Sequence, residues 1–481
     1  MKLFEPLDVG GMTIPNRIMV PAMVTRLSGE DGHVNQDVTD RYVRYAQGGT
    51  GLIVVEAMAI HGFKAGPLLR ISDDAFVPGL RTLVQRVHDA SDSKIVPQLI
   101  HFLKISRSGW RQTVDMLSLA EIDRIVDQFG DAAARARAAG FDGAELHSAH
   151  AYTLASFLSR CNPRRDEYSG ETLEGRLRLL GRVMENVRSK AGADFPVGVR
   201  FVVDEFIKGG YTVEDAKLIA LRAAQLGAAY VSLSAGGKFE DAVHEPGHVP
   251  YPYTGFSGDR CMPGDWYPMG LHAGMAHEVK RFLNEKGYRV AVAAAGKLSE
   301  PDDAERVVSD GTMDIVAIAR GLLADPDWPK KVKSGARDRI IQCDYCNVCK
   351  HLDGTHMKVV CFLWPKGALQ APADDPSAAA PAWGEDQGEL TVKLKPGIAE
   401  LKWAKAAGEP AHYDIYRADD DGEVRVVDGV KTTWWQDKTI LAGMRYRYYV
   451  RACNAAGGAS PPSRSVAVAP ELPATTVPLA G

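Results

Sequence analysis

Along the first three-quarters of the chain, apolar residues fall in short, nearly continuous runs, and several of the intervals between them carry a helical period. The runs are RIMV (17–20), GLIVVE (51–56), IVPQL (95–99), GAELH (143–147), PVGVRF (196–201), AYVSLS (229–234), RVAVAA (289–294) and DIVAIA (314–319). A run apolar at consecutive positions has no polar face, so these predict strands covered on both sides. Helical stretches over 118–139, 173–191, 212–226 and 270–286 separate several of them, with polar turns at their ends. Eight buried strands alternating with helices predict an α/β fold, a parallel (β/α)8 TIM barrel over residues 1–340. A doubly wound open sheet gives the same alternation. No G-x-G-x-x-G follows any of these strands, which argues against that sheet and against a dinucleotide site.

The period then changes. ELTVKL, IAELKWAK, AHYDIYRA, EVRVVD, RYRYYVRACN and RSVAVA alternate apolar with polar positions and are separated by turn residues, which predicts a small all-β sandwich over 388–470. A Pro-, Ala- and Asp-rich stretch, 367–387, reads as a linker, and 471–481 as a tail. A chain of 481 residues, 45% hydrophobic and 25% charged, suffices for one large core and a second domain. The net charge of −4 gives no electrostatic case for nucleic acid or an anionic membrane. With no apolar leader and no membrane-length apolar run, a cytoplasmic protein without a membrane span is expected.

Four of the seven cysteines, Cys343, Cys346, Cys349 and Cys361, lie in CDYCNVCKHLDGTHMKVVC; Cys161, Cys261 and Cys453 stand apart. In a reducing compartment such clustering points to metal rather than disulfides. Structural zinc usually takes two separated C-x2-C knuckles. Three crowded cysteines and a distant fourth better suit the corners of a [4Fe–4S] cluster, which makes 341–366 a cluster segment. Zinc and unliganded thiols are the alternatives, with His351 and His356 as bystanders. A cubane moves single electrons. Barrel chemistry sits at the C-terminal strand ends. Those ends read Pro21-Ala22-Met23, Glu56-Ala57, Gln98, His147-x-x-His150-x-Tyr152, Arg200, Ser234, Gly296 and Arg320, a polar, titratable and Gly-rich set.

Several longer stretches, in order over 1–365, carry a family likeness: LFEPLDVGGMTIPNRIMVPAM (3–23), GGTGLIVVEA (48–57), QLIH (98–101), GFDGAELHSAHAYTLASFLSRCNPRRDEYSG (140–170), VGVRFVVDEF (197–206), ARGLLADPDWPKK (319–331) and the cysteine run. The chain resembles the old yellow enzyme superfamily of FMN-dependent ene-reductases, in its iron–sulfur branch of the 2,4-dienoyl-CoA reductase and trimethylamine dehydrogenase type. The resemblance implies that Pro21, Ala22, Met23 and Ala57 lie along the flavin and that Gln98 bonds its pyrimidine edge. It implies Arg200 beside N1, and Gly296, Lys297, Arg320 and Gly321 around the phosphate. It also makes His147 and His150 the grip on a substrate carbonyl, with Tyr152 as proton donor. The plainer reading has the histidines capping a strand end and Tyr152 packing in the core.

Two departures bear on the pocket. The family's Q-L-x-H-x-G-R is here Gln98-Leu99-Ile100-His101-Phe102-Leu103-Lys104, which adds bulk and replaces a planar fork by an ammonium; His101 reads equally as ligand or core. Amine dehydrogenases of this branch carry Tyr at the position of His147 and attach FMN through an early cysteine, whereas no cysteine precedes Cys161. Non-covalent FMN and reduction of a C=C bond conjugated to a carbonyl, as in an enoyl- or dienoyl-CoA or a cyclic enone, are therefore expected. Amine dehydrogenase or demethylase and a non-catalytic electron-transfer or scaffold protein are the alternatives.

The aperiodic loop 235–269 carries Phe239, Tyr251, Tyr253, Phe256, Trp266 and Tyr267, which suit a slot for a flat substrate, or a lid or subunit contact. The resemblance implies that His244 or His248 assists protonation. The sandwich resembles a fibronectin type III domain, with Trp403 at the core tryptophan and Tyr446 at the tyrosine corner. Where long relatives continue into nucleotide-binding domains, this chain has the sandwich. A separate electron-transfer partner is thus expected, namely a ferredoxin, an electron-transferring flavoprotein or a reductase subunit; direct hydride from NAD(P)H is the other route. Contact between copies of the chain is left open.

Overall fold

The structure is a computed structural model that describes residues 1–481 apart from 64–65, 375–380, 409, 420–421, 455–457 and 472–481. Part of the expected linker and nearly all of the expected tail lie outside the described residues. The chain divides into two compact units: Met1–Ser334 with Gln342–Ala371, and Gly335–Ile341 with Pro372–Gly481.

In the first unit eight parallel strands close a barrel: β1 (Ile18–Val20), β2 (Leu52–Ala59), β3 (Lys94–Ile100), β4 (Ala144–Ser148), β5 (Val197–Val202), β6 (Tyr230–Ser234), β7 (Ala291–Ala294) and β8 (Ile315–Ala317). Closure is made where β8 meets β1, with Val316 opposite Ile18 and Ala317 opposite Met19. The barrel expected from the apolar runs is the fold observed. Nearly every strand residue is buried, as strands covered on both faces require.

Helices wrap the outside, and α1 (Leu119–Ala139) shows why they form where they do. Ile122, Ile125, Val126, Phe129, Ala132, Ala133 and Ala136 make one apolar stripe. Ser118 and Glu121 close a capping box at its start, and Gly140 in the left-handed conformation ends it. Below the strands a hairpin, Leu7–Val9 with Met12–Ile14, plugs the barrel floor by packing Val9, Met12 and Ile14 on Met19, Leu52 and Ile315. Its Gly10 has φ +62° and a Cβ there would lie 2.6 Å from that of Ala229, so both turn and packing need glycine.

Above the strands the cysteine run folds back onto the same unit. Arg26 pairs with Asp353, Arg41 donates to the carbonyls of Val359 and Leu369, and the Trp364 indole donates to that of Ala324. The loop after β6 differs from its featureless sequence: it holds a 3-10 turn, Phe239–Asp241, and a short helix, Gly255–Cys261. Two turns are too few for a hydrophobic period to show.

The second unit is all-β and antiparallel. Leu390–Lys395, Ile398–Trp403 and Trp434–Asp437 form one sheet in that order. Gly422–Val430, His412–Asp419, Tyr446–Cys453 and Val466–Val468 form the other. Leu401, Trp403, Tyr413, Ile415, Tyr448 and Val450 belong to its core. No described helix is long and apolar enough to cross a membrane.

Among the polar residues buried in the barrel strands, Glu56 has a proton to account for. Glu56 sits in β2 at a register irregularity between Val55 and Ala57, where a bulge turns a side chain away from the ladder. It is fully buried, its carboxylate takes the backbone N–H and hydroxyl of Thr25, and burial pushes its pKa up to about 7. The folded chain holds this proton to higher pH than the unfolded chain does. The stabilising contribution is therefore complete below the ordinary carboxylate range and lost as pH rises through about 7. Glu56→Gln removes this dependence. Urea titrations at pH 4.5 and pH 8 should show the variant gaining roughly 3 kcal/mol on the wild type between the two.

Candidate active site

A cavity of about 790 Å³ opens over the C-terminal ends of the strands. Its walls are set by register. In neighbouring parallel strands Gln98 stands opposite Glu145, and His147, Arg200 and Ser232 form one row across β4, β5 and β6. Residues in one row of a barrel point to the same side. Glu145 accepts hydrogen bonds from the Gln98 amide at 2.7 Å and the Tyr230 hydroxyl at 3.0 Å, which fixes Gln98. Ser232 accepts from Arg200 at 3.0 Å.

All ten positions read as cofactor-binding, Pro21, Ala22, Met23, Ala57, Gln98, Arg200, Gly296, Lys297, Arg320 and Gly321, line this cavity, as do His147, His150 and Tyr152. His248 does not. Its side chain is 77% exposed beside Glu245, out on the loop. His244 is also turned away, its Nε2 bonded to the carbonyls of Arg107 and His248. Among the loop aromatics Tyr251 and Tyr253 line the cavity, whereas Phe256 and Trp266 face solvent.

The two histidines differ in what surrounds them. Burial first, and then the Arg200 charge, hold His147 well below the ordinary imidazole range, and burial does the same for His150, with His147 next. Both rings are neutral at pH 7. His147 Nδ1 accepts the backbone N–H of Ala149 at 3.4 Å, so Nε2 carries the hydrogen. His150 has both nitrogens engaged: Nδ1 lies 3.2 Å from the Tyr253 hydroxyl, and Nε2 lies 2.9 Å from Ser234 Oγ and 3.2 Å from Cys261 Sγ. Its φ of +59° is strained for a non-glycine residue and aims the ring inward. Gly237 makes room for it, since a Cβ there would come within 3.1 Å of the ring. The Tyr152 hydroxyl meets that of Tyr253 at 3.1 Å, and burial pushes the Tyr152 pKa up to about 12. No sequence motif announced Tyr253 or Cys261 as partners of this pair; the one signal was the density of aromatics in a long loop.

At the other end Lys297 and Arg320 lie 4.4 and 4.8 Å from the Tyr345 ring centre, and Tyr345 bonds Ser299 at 2.6 Å. Lys297 donates to the carbonyls of Gly264, Asp265 and Tyr267, and Arg320 to that of Pro263 and to Asn347. Burial, followed by Arg320, lowers the Lys297 pKa. Two cations crowded by a glycine-bearing strand end form a donor set that suits a phosphate. Among the four clustered cysteines, Cys349 lines the cavity. Burial first, and then at least one of the other three, pushes each thiol's pKa up, yet among the described residues no three of these sulfurs lie within 4.8 Å of one another. A single tetrahedral zinc would need sulfurs roughly 3.8 Å apart, from a Zn–S bond of about 2.3 Å.

The NADH:flavin oxidoreductase / NADH oxidase family model matches residues 2–106, 104–243 and 272–339. The chain belongs to that family. It is 34% identical over 367 residues to an NADH oxidase of Thermoanaerobacter brockii, across 72% of this chain and 53% of that protein. The chain thus spans about half the length of that relative. Solved structures give the same fold. A 2-naphthoyl-CoA reductase in complex with 2-naphthoyl-CoA has a TM-score of 0.67 at 22% identity, over 79% of this chain and 60% of its own. A histamine dehydrogenase from Rhizobium sp. 4-9 has a TM-score of 0.64 at 22%, over 79% and 55%. The family's FMN fits the observed cavity. Its volume lies in the small-molecule range of roughly 300–1,000 Å³, a fixed amide and a buried guanidinium stand at one end, and paired cations stand at the other.

A buried ion pair props the wall near His150: Lys238 and Glu205, 2.8 Å apart, are 3% and 0% exposed. Lys238→Met leaves the Glu205 carboxylate buried without its cation and should cost about 3–5 kcal/mol in chemical denaturation. Adding Glu205→Gln should recover most of that loss.

Proposed function

We propose that the chain is an FMN- and [4Fe–4S]-dependent enzyme that reduces, or forms, a C=C bond conjugated to a carbonyl. The observation that carries this is the meeting of a neutral His147 N–H, a protonated Tyr152 and the Arg200 guanidinium in one cavity with Gln98. His147 Nε2–H donates to the substrate's carbonyl oxygen and draws electron density from the double bond. FMN, when bound, supplies hydride to the β-carbon. Tyr152, protonated across the neutral range, gives its hydroxyl proton to the α-carbon. Arg200, next in the row from His147, favours negative charge where the pyrimidine end of a flavin would lie. Lys297 and Arg320, with Gly296 and Gly321, would hold the phosphate. Pro21, Ala22, Met23 and Ala57 give the flat, uncharged wall a ring system needs.

Cys343, Cys346, Cys349 and Cys361 would hold the cluster, a reading supported by three cysteines crowded at two-residue spacing with a fourth at a distance. A single-electron centre beside a two-electron cavity suits exchange with a separate electron-transfer protein. The second unit reads as fibronectin type III-like: its strand order and the Tyr446 hydroxyl accepting the Leu441 N–H at 2.9 Å support this. Enoyl- or dienoyl-CoA thioesters and cyclic enones are the proposed substrates.

Anaerobic purification should give about four irons and one FMN per chain; zinc alone would overturn the reading. Tyr152→Phe should lower kcat by about 10²- to 10³-fold with flavin content unchanged. Because Tyr152 titrates near 12 and both histidines titrate below the neutral range, wild-type kcat should stay flat from about pH 7 to 9.

A further inference from the structure

We propose that Tyr152 is recharged through a buried relay, Cys261–His150–Tyr253–Tyr152, in which Cys261 is the proton source and His150 a carrier rather than a second carbonyl grip. This rests on the reading of Tyr152 as proton donor. The chain of contacts is continuous. Cys261 Sγ is 3.2 Å from His150 Nε2, His150 Nδ1 is 3.2 Å from the Tyr253 hydroxyl, and that hydroxyl is 3.1 Å from that of Tyr152. His150, Tyr253 and Tyr152 are buried or nearly so, and all four residues line the cavity.

The donors run in one direction. In the proposed relay the thiol, rather than the nearer Ser234 hydroxyl, donates to Nε2, which places the imidazole hydrogen on Nδ1. Nδ1–H donates to the Tyr253 oxygen, and Tyr253 O–H donates to the Tyr152 oxygen. The Tyr152 hydrogen is then free for substrate. When that hydrogen leaves for the α-carbon, each O–H or N–H bond in the row breaks as the next forms. One proton has moved from sulfur to carbon, and the negative charge rests on Cys261. Water in the cavity returns the proton after product leaves.

Ser234 also reaches Nε2, at 2.9 Å, but an alcohol is a far weaker acid than a thiol and cannot end the row as a source. Burial holds the Cys261 thiol above its ordinary range, and Arg200, the Ser234 contact, Lys350 and Arg320 offset part of that cost when the proton leaves. The split between the histidines follows from the same contacts. With both nitrogens of His150 taken, only His147 presents an N–H to a substrate oxygen.

The test uses holoenzyme reducing 2-cyclohexenone with NADPH or dithionite. Cys261→Ala, Cys261→Ser and Tyr253→Phe should each lower kcat about 10- to 100-fold with KM within about twofold. Serine keeps the volume of the thiol without its acidity, so a low kcat in that variant does not stem from misfolding. A proton inventory in mixed light and heavy water should bow in the wild type and straighten in Tyr253→Phe. Wild-type rates in all three variants, with Tyr152→Phe still impaired, overturn the relay and leave the proposed function standing. If the wild type reduces no activated alkene, the proposed function fails and the relay is judged without turnover. Cys261 alkylation by iodoacetamide at pH 7.5, read by peptide mass spectrometry, should then slow about tenfold in His150→Gln; an unchanged rate overturns the coupling.

Discussion

Parallel pairing with fixed register is the constraint on which the rest of this structure depends. Side chains along a strand alternate between the two faces, so a slip of one residue would turn His147 and Arg200 outward together and bring apolar neighbours in. The hairpin plug, the helix stripe of α1 and the strand runs all serve to hold that register. The cavity chemistry is then a by-product of which residues end each strand.

The second theme is the management of buried charge. Arg200 lies in a row of neutral partners, and its field, added to burial, keeps both histidines unprotonated. Burial raises the pKa of Glu145 and the Arg200 charge opposes that rise, while Glu205 is paired with Lys238.

Much of the barrel was legible because its strands are covered on both sides, and continuous apolar runs survive in sequence without any knowledge of partners. The strand-end residues were legible for the same reason, since a barrel puts chemistry at those ends. What could not be read is contact across the loop after β6. Tyr253 and Cys261 approach His150 from more than a hundred residues away, through a two-turn helix and a left-handed glycine at Gly237, and neither leaves a period. His248 shows the converse: a residue type and region that suited proton chemistry were placed in solvent by a turn rich in Pro and Gly. In the cysteine run, spacing suggests a ligand set, but the position of Tyr345 against two cations depends on its φ of +57°, which no spacing encodes.

Tyr345 stands between Cys343 and Cys346 in the chain and between Lys297 and Arg320 in space. Those two cations also hold the backbone of residues 263–267 and, through Asn347, the far side of the cysteine run. The ring thus braces two cations on one side and the cysteine run on the other, so displacing it disturbs both. In the proposed reading, any coupling through this ring between anion binding and cluster loading would be reciprocal by thermodynamic linkage.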